Sequence, residues 1–189
     1  MKINLIIICL SLLLNGCAGL IVAGAATGVS VMHDRRTIGA IVEDENIEIK
    51  AARRVRQNKA LNDNSNVNVV SFNSRVLVAG QAATPELRAN IGKEISKIQK
   101  IDRIHNELRV AAPTSVLTRS SDALISTKVK AMMVAEEGLD ASHVKVFTEN
   151  GEVFLLGLVK QDEARKAIAV TRTVSGVQRV IELFEYIDL

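Results

Sequence analysis

Few side chains in this 189-residue sequence are of types that do chemistry, and its two thiols lie near its start. Cys9 and Cys17 both fall within the first twenty residues, so no disulfide can bridge a folded body that follows them. The histidines, His33, His105 and His143, are scattered without a cysteine or carboxylate at the spacing of a metal site. The sequence also lacks a G-x-S-x-G, an H-E-x-x-H and a phosphate-binding loop. We therefore expect no enzymatic activity, no metal and no cofactor.

The residues before Cys17 give its thiol a defined chemistry. An apolar run of about 12 residues from Ile3 to Leu14 is typical of a signal peptide and is too short to cross a bilayer. Leu14-Asn15-Gly16-Cys17 then resembles the lipobox of bacterial lipoproteins, although Asn15 departs from the small or β-branched residue usual there. The resemblance implies that residues 1–16 are removed and that Cys17 is acylated on its thiol and on its freed amine. The alternatives are a transmembrane anchor or an ordinary signal peptide with an incidental cysteine.

The residues after Cys17 bear on where such a lipoprotein is held. In Gram-negative lipoproteins an aspartate directly after the cysteine tends to retain the protein in the inner membrane, and here that residue is Ala18. The resemblance therefore implies a lipid anchor in the outer membrane, facing the periplasm, with each buried methylene adding about 0.8 kcal/mol. Residues 18–32 are small and apolar but number only about 15, which is marginal for spanning a bilayer. We interpret residues 17–42 as a lipidated tether.

Composition limits what the folded body can be. Apolar residues make up 48 % of the chain, aromatic residues 3 %, and tryptophan is absent, so the core must be built from isoleucine, valine, leucine and alanine. The formal charge of +3 is too weak to indicate nucleic-acid binding, and we expect no nucleic-acid partner.

An internal repeat organises the chain after the tether. Residues 73–80 align with residues 150–157 at an offset of 77. Carried upstream, the same offset places Ile47 on Leu124, and near the end of the unit it slips by one residue. The repeat predicts two copies of one small fold, with domain 1 at residues 43–111, a linker at 112–119 and domain 2 at 120–189. Because the linker is short, we expect the two domains to touch or nearly touch.

Each copy is predicted to begin with a helix. The spacing of apolar residues favours helices at Asp44–Leu61 and Ser121–Glu137. Asp44 and Ser121 are the expected N-caps, because their side-chain oxygens can accept hydrogen bonds from first-turn N–H groups. In the second copy we expect a core-facing stripe of Ile125, Val129, Met132 and Met133.

A hairpin, a second helix and a closing strand follow in each copy. Asn150-Gly151 suits the two positive φ angles of a type I′ turn, whereas Asn73-Ser74-Arg75 is a weaker turn signal. The remaining elements are predicted as helices at Pro85–Lys100 and Asp162–Val174 and closing strands at Ile104–Val110 and Gln178–Ile187. The predicted fold class is α+β, with two helices packed on one face of a three-stranded mixed sheet in each domain.

This order of elements resembles the BON domain family. The resemblance is carried by Gly80 and Gly157 at the ends of strands, by Asn150-Gly151-Glu152-Val153, and by the run Val-Ser-Gly-Val-Gln-Arg-Val at residues 174–180. Two such domains behind a lipobox, preceded by residues 34–39, resemble the family's dual-domain outer-membrane lipoproteins. The resemblance implies a protein that binds anionic phospholipid, mainly through the first helix of domain 2, and helps to maintain the outer-membrane barrier.

The first helix of domain 2 offers residues suited to a lipid surface. Leu124, Lys128 and Ala131 share one helical face, and Lys130 adds positive charge. A leucine can enter the acyl boundary while a lysine meets a headgroup phosphate. The alternative is that Leu124 belongs to the edge of the core and the lysines are merely solvated. For the basic cluster in the first helix of domain 1 three alternatives stay open, contact with anionic lipid, a solvated face or contact with the other domain: Lys50, Arg53, Arg54, Arg56 and Lys59. A second hypothesis is a scaffold for a protein partner in the envelope.

Overall fold

A computed structural model describes residues 34–112 and 116–187 of the chain. The predicted signal peptide, the predicted lipidation site Cys17 and the predicted tether up to residue 33 lie outside the described residues. Domain 1 contains α1 (Ile38–Gln57), a short α2 (Lys59–Asn62), β1 (Ser65–Phe72), β2 (Arg75–Ala82), α3 (Pro85–Ile95) and β3 (Arg103–Val110). Domain 2 contains α4 (Val116–Ala135), β4 (Val144–Glu149), β5 (Glu152–Val159), α5 (Gln161–Thr173) and β6 (Arg179–Tyr186), with a 3₁₀ turn at Ala141–His143.

The two domains have the same sheet topology, which confirms the predicted fold class. In domain 1 an antiparallel β1–β2 hairpin is extended by β3, which runs parallel to β2. In domain 2 an antiparallel β4–β5 hairpin is extended in the same way by the parallel strand β6. The helix between the last two strands of each domain provides the crossover that a parallel pair requires.

The helices of each domain pack on one face of its sheet, and the opposite faces of the two sheets pack on each other. In β2, Val76 and Val78 belong to the core under the helices, while Leu77 and Ala79 belong to a third cluster shared by both domains. That shared cluster also contains Phe154 and Leu156 of β5 and Leu183 of β6. The result is a four-layer body of helices, sheet, sheet and helices, and residues 35–189 form one compact unit.

Both first helices begin earlier than predicted, so neither Asp44 nor Ser121 is an N-cap. Thr37 caps α1 by accepting a hydrogen bond at 3.1 Å from the backbone N–H of Ala40. α4 begins at Val116, inside the segment predicted as a linker, and Ser121 lies exposed within it. Likewise α1 begins inside the segment predicted as a tether. α3 ends at Ile95, five residues before the predicted end.

Asp44 instead fixes the hairpin turn of its own domain. It is buried, and its carboxylate accepts hydrogen bonds from the backbone N–H groups of Asn73 at 2.7 Å and Ser74 at 2.9 Å. Asp122 does the same in domain 2, accepting from Asn150 N–H at 2.7 Å and Gly151 N–H at 2.8 Å. All four turn residues have positive φ, as a type I′ turn requires, so a carboxylate from the first helix holds each turn.

The two aspartates also correct the alignment of the repeat. They are 78 residues apart, whereas the hairpins are 77 apart, so Ile47 is equivalent to Ile125 and not to Leu124. The buried residues of the two helices then coincide, as listed here: Ile47, Ala51 and Val55 on Ile125, Val129 and Met133. A one-residue error turns a helix by about 100°, which is the difference between core and surface.

Candidate functional site

The inner side of α4 is fixed by contacts along its length. Ile125, Val129 and Met133 are 5 %, 0 % and 0 % exposed, and they pack into the core of domain 2. Asp122 is tied to the hairpin turn, and the Ser126 hydroxyl donates a 2.8 Å hydrogen bond to Thr148 Oγ1. These contacts fix the rotation of α4 about its own axis, and they therefore determine which residues lie on its outer side.

The structure brings three of the four residues proposed for the lipid face together on that outer side. Leu124 is 63 % exposed, and Lys128 and Ala131 are exposed within about 40° of it around the helix. Leu124 therefore does not belong to the edge of the core. Lys130 is exposed too but lies about 120° from Leu124, on the flank of this stripe.

Sequence reasoning missed two apolar side chains beside the stripe. Met132, expected in the core, is 47 % exposed, so that expectation is wrong. Val134 is 74 % exposed and lies on the flank that carries Lys130, opposite Met132. An exposed apolar side chain stays in contact with water and gains no free energy from burial. Three such side chains on one helix therefore suit a surface that binds a partner. Had Asp122 been paired with the Asn150-Gly151 turn, its side chain would have been placed on the inner side of α4. Met132 and Val134 would then have been predicted on the outer side.

The charges on the outer side of α4 have one sign. Asp122 is the acidic residue within the helix sequence, and it is buried and occupied by the turn. Lys128 and Lys130 are exposed and, among the residues that the structure describes, neither forms an ion pair. We define the α4 face as Leu124, Lys128, Lys130, Ala131, Met132 and Val134. It combines apolar side chains with uncompensated positive charge.

The outer side of α1 differs in part, because several of its charges are paired within the protein, while exposed Arg53 and Arg56 form no ion pair among the described residues. Arg54 pairs with Glu94 at 3.0 Å, and Glu43 lies 3.9 Å from Lys50 and 2.7 Å from Lys100. Glu48 accepts an ion pair at 2.7 Å from Lys145 of domain 2. Exposed apolar residues also occur here, but an exposed acid, Glu45, lies among them: Ile38 (72 %), Val42 (54 %) and Ile49 (53 %).

Two arginines before α1 bind one domain each. Arg35 forms a bidentate ion pair with Glu163 at 2.6 and 2.9 Å and also donates to the Leu158 carbonyl at 2.9 Å. Burial raises the pKa of Glu163, but the Arg35 guanidinium and the Lys160 N–H outweigh it and lower the pKa from 4.5 to about 2. Arg36 pairs with Asp44 at 2.8 Å and lies 3.9 Å above the ring of Phe72.

The buried carboxylate between the sheets is held by hydrogen bonds, whereas His105 Nε2 is buried without a hydrogen-bond partner among the described residues. Glu149 is buried and accepts from Gln81 at 2.7 Å and from Asn68 at 3.1 Å, and burial raises its pKa. Within residues 34–112 and 116–187, no three histidine, cysteine, aspartate or glutamate side chains are grouped so as to hold a metal ion. In the same ranges, no helix is long and apolar enough to cross a membrane.

Comparison with known proteins finds the BON domain at residues 43–112 and 121–188. The outer membrane lipoprotein DolP of Haemophilus influenzae is 34 % identical over 178 residues, covering 94 % of this chain and 92 % of the relative. The 21 kDa hemolysin of Actinobacillus pleuropneumoniae is 34 % identical over 155 residues, covering 82 % of this chain and 80 % of the relative. Osmotically-inducible protein Y of Escherichia coli is 27 % identical over 162 residues, covering 82 % and 78 %.

Proposed function

The chain belongs to the BON domain family, and on that premise we propose that it is an outer-membrane lipoprotein that faces the periplasm and binds anionic phospholipid. Lipid on Cys17 holds it at the membrane, and the α4 face makes the second contact. Its role is to support the integrity of the outer membrane by binding, without catalysis. The observation that carries the proposal is the α4 face itself, where exposed Leu124, Met132 and Val134 accompany lysines that have no acidic partner among the described residues.

The chemistry of this face suits an anionic interface. Apolar side chains of this kind gain roughly 1.5–3 kcal/mol each when fully buried, and here each would be buried only in part. Each lysine near an anionic surface adds about 1 kcal/mol and loses it as salt screens the charge. The sum describes a weak and salt-sensitive contact. The anchor on Cys17 makes such a contact effective, because tethering raises the local concentration of the α4 face at the bilayer.

The test is vesicle binding by residues 18–189 produced without lipid. We expect binding to vesicles that contain phosphatidylglycerol, much weaker binding to phosphatidylcholine vesicles, and loss of the difference at high salt. The double variant Leu124→Glu with Lys128→Glu should lower binding at least about tenfold, because it removes an apolar contact and reverses a charge.

A matched control lies on α1. The double variant Ile49→Glu with Arg53→Glu makes the same changes at the same spacing on exposed residues of domain 1. It should leave vesicle binding unchanged. Unchanged binding by the α4 variant, or an equal loss in both variants, would show that the α4 face is not the lipid contact.

A second candidate function is a scaffold for an envelope protein, and the outer side of α1 favours it. Glu45 among Ile38, Val42 and Ile49 would repel anionic lipid but would not prevent contact with a protein. A photoreactive residue at position 49 should then form protein adducts in intact cells, while one at position 124 should form lipid adducts. Lipid adducts alone at both positions would remove this candidate.

A further inference from the structure

The outermost residues of α1 form one straight stripe opposite the core contacts of the helix. At 100° per residue, every member of the stripe lies within about 40° of Ile49, whereas buried Ile47 and Ala51 lie about 160° away. All the members are exposed, and the stripe runs for about 27 Å along the helix. We define the α1 stripe by six residues: Ile38, Val42, Glu45, Ile49, Arg53 and Arg56.

Two opposite charges in the α1 stripe have no partner among the described residues. Glu45 lies four residues before Ile49, and Arg53 lies four residues after it. Three or four residues away on α1, Glu45 has no basic neighbour and Arg53 has no acidic one. By contrast, the adjacent Arg54 pairs with Glu94 at 3.0 Å. The stripe therefore carries an unpaired acid and an unpaired base at equal distances from an exposed isoleucine.

The fold does not require this pattern, because the equivalent helix of domain 2 lacks it. With the buried residues of α1 and α4 aligned 78 positions apart, the equivalents of Glu45, Ile49 and Arg53 are exposed but uncharged: Ala123, Thr127 and Ala131. The acid, the isoleucine and the base are thus particular to α1. They contribute to no core and suit a contact made outside the domain.

We propose that the α1 stripe binds the α1 stripe of a second copy of this chain, antiparallel, about a two-fold axis at Ile49. Such an axis places each residue opposite the one that lies equally far beyond the axis in the other copy. The two Ile49 side chains then pack on each other, and Glu45 of each copy faces Arg53 of the other. Val42 faces Arg56, whose methylene groups can cover it. This surface is assigned to a second copy rather than to a different envelope protein.

The unpaired charges favour this arrangement over two others. A parallel pair would place Glu45 on Glu45 and Arg53 on Arg53, and like charges opposed across an interface are destabilising. An antiparallel pair with its axis between Glu45 and Asn46 would pack Val42 on Ile49, but it would bring the two Glu45 carboxylates side by side. Of the three arrangements, the axis at Ile49 alone matches each charge with its opposite.

The contact is small, so we expect the dimer to be short-lived in solution. A stable interface buries about 800 Å² on each partner, and a single helical stripe provides less. Its exposed ion pairs are screened by salt, so association should weaken as ionic strength rises. A covalent trap is therefore the appropriate measurement, because it accumulates a dimer that is sparse at equilibrium.

A single thiol at the proposed axis provides that trap. Residues 18–189 contain no cysteine, so Ile49→Cys introduces one. At the axis the two Cα atoms can approach within the roughly 7 Å that a disulfide requires. Thr127→Cys, at the equivalent exposed position of α4, is the matched control. The measurement is the initial rate of disulfide-linked dimer formation in a glutathione redox buffer.

We expect Ile49→Cys to form dimer at least about fivefold faster than Thr127→Cys at low salt, and the ratio to fall towards one at high salt. Adding either Glu45→Arg or Arg53→Glu to Ile49→Cys should lower its rate to that of the control, because like charges then face each other. Mixing these two doubly substituted chains should restore the fast rate, because every arginine then faces a glutamate. The same charge reversals on the Thr127→Cys background should change nothing.

These variants separate a specific contact from a general effect of charge. Glu45→Arg raises the net charge of the chain by two and Arg53→Glu lowers it by two, so a net-charge effect would move the two rates in opposite directions. Such opposite changes would overturn the proposal. So would equal rates for Ile49→Cys and Thr127→Cys, or a mixture that stays as slow as its components.

Discussion

The helices α1 and α4 occupy equivalent places in the repeat, and they differ in how their outer charges are used. Lys50 and Lys128 are 78 residues apart and correspond to each other once the buried residues are aligned. Lys50 has an acidic partner, Glu43, on its own helix, while Lys128 has none among the described residues. The inner sides share equivalent buried residues and an aspartate that holds the hairpin turn in both domains. The comparison teaches that the fold is encoded on the inner side of each helix, whereas a binding role can be encoded on the outer side alone.

The largest expected effect concerns the carboxylates that hold the two hairpin turns. Asp44→Ala leaves buried or half-buried donors without their acceptor, so it should destabilise the protein by about 3–5 kcal/mol; the donors are those of Ser71, Asn73, Ser74 and Arg36. Asp122→Ala removes the acceptor of two backbone N–H groups and should cost about 2–3 kcal/mol. Urea unfolding of both variants measures the difference. A cost for Asp122→Ala equal to or above that for Asp44→Ala would contradict this account of the turns.

A smaller effect is expected from replacing Glu163, the glutamate of domain 2 that binds Arg35. Glu163 and Glu86 are 77 residues apart in the repeat, but Glu86 is solvated and its lowered pKa reflects only local hydrogen bonds. Glu163→Gln should lower stability at neutral pH by about 2–3 kcal/mol, because it removes a buried bidentate ion pair. Glu86→Gln is the matched control and should change stability little.

The pH dependence of this effect follows from the sign of the shift. The pKa of Glu163 is lowered in the folded state from 4.5 to about 2, so its contribution is complete above pH 4.5. It is lost as the pH falls from 4.5 towards 2. The stability difference between the natural chain and Glu163→Gln should therefore shrink over that range. A difference that stays constant down to pH 2 would show that Arg35 does not hold this carboxylate.

The smallest effect concerns the turn residues themselves. Ser74 has a φ of 64°, a conformation that disfavours residues with a Cβ, while the equivalent Gly151 has a φ of 73°. Ser74→Gly should stabilise domain 1 by about 0.5–1 kcal/mol, because it relieves this strain. Gly151→Ser should destabilise domain 2 by a similar or larger amount, since a Cβ there would meet Gln178 at 2.9 Å. Thermal unfolding of both variants would measure these changes in stability. If both variants were stabilised, or both destabilised, the equivalence of the two turns would be contradicted.

Much of the fold could be predicted from the sequence because its signals are local. Asn150-Gly151 specifies a turn. Gly80 and Gly157 are required because a Cβ would overlap the carbonyl of Asn66 on the neighbouring strand and that of His143 just before the neighbouring strand. The face-to-face sheets were indicated less directly. Val76-Leu77-Val78-Ala79 and Val153-Phe154-Leu155-Leu156 are apolar at every position, which is typical of strands buried on both sides.

The phase of the first helices could not be read from local signals. Leu124 and Ile125 are adjacent apolar residues, as are Met132 and Met133, so two stripes about 100° apart fit the sequence equally well. The contact that chooses between them joins Asp122 to Asn150, 28 residues away. For the same reason Val134 was missed, while Leu124, Lys128 and Ala131 were grouped correctly from their spacing alone.

The central claim is that α4, and not α1, meets anionic lipid. It is tested most directly by the rate at which an amine-reactive reagent acylates Lys128 and Lys50 in residues 18–189, with and without phosphatidylglycerol vesicles. Both lysines are exposed in the free protein. We predict that vesicles slow acylation of Lys128 several-fold, because its amine lies against headgroup phosphates, and leave Lys50 unchanged. Equal protection of both lysines, or protection of Lys50 alone, would contradict the account.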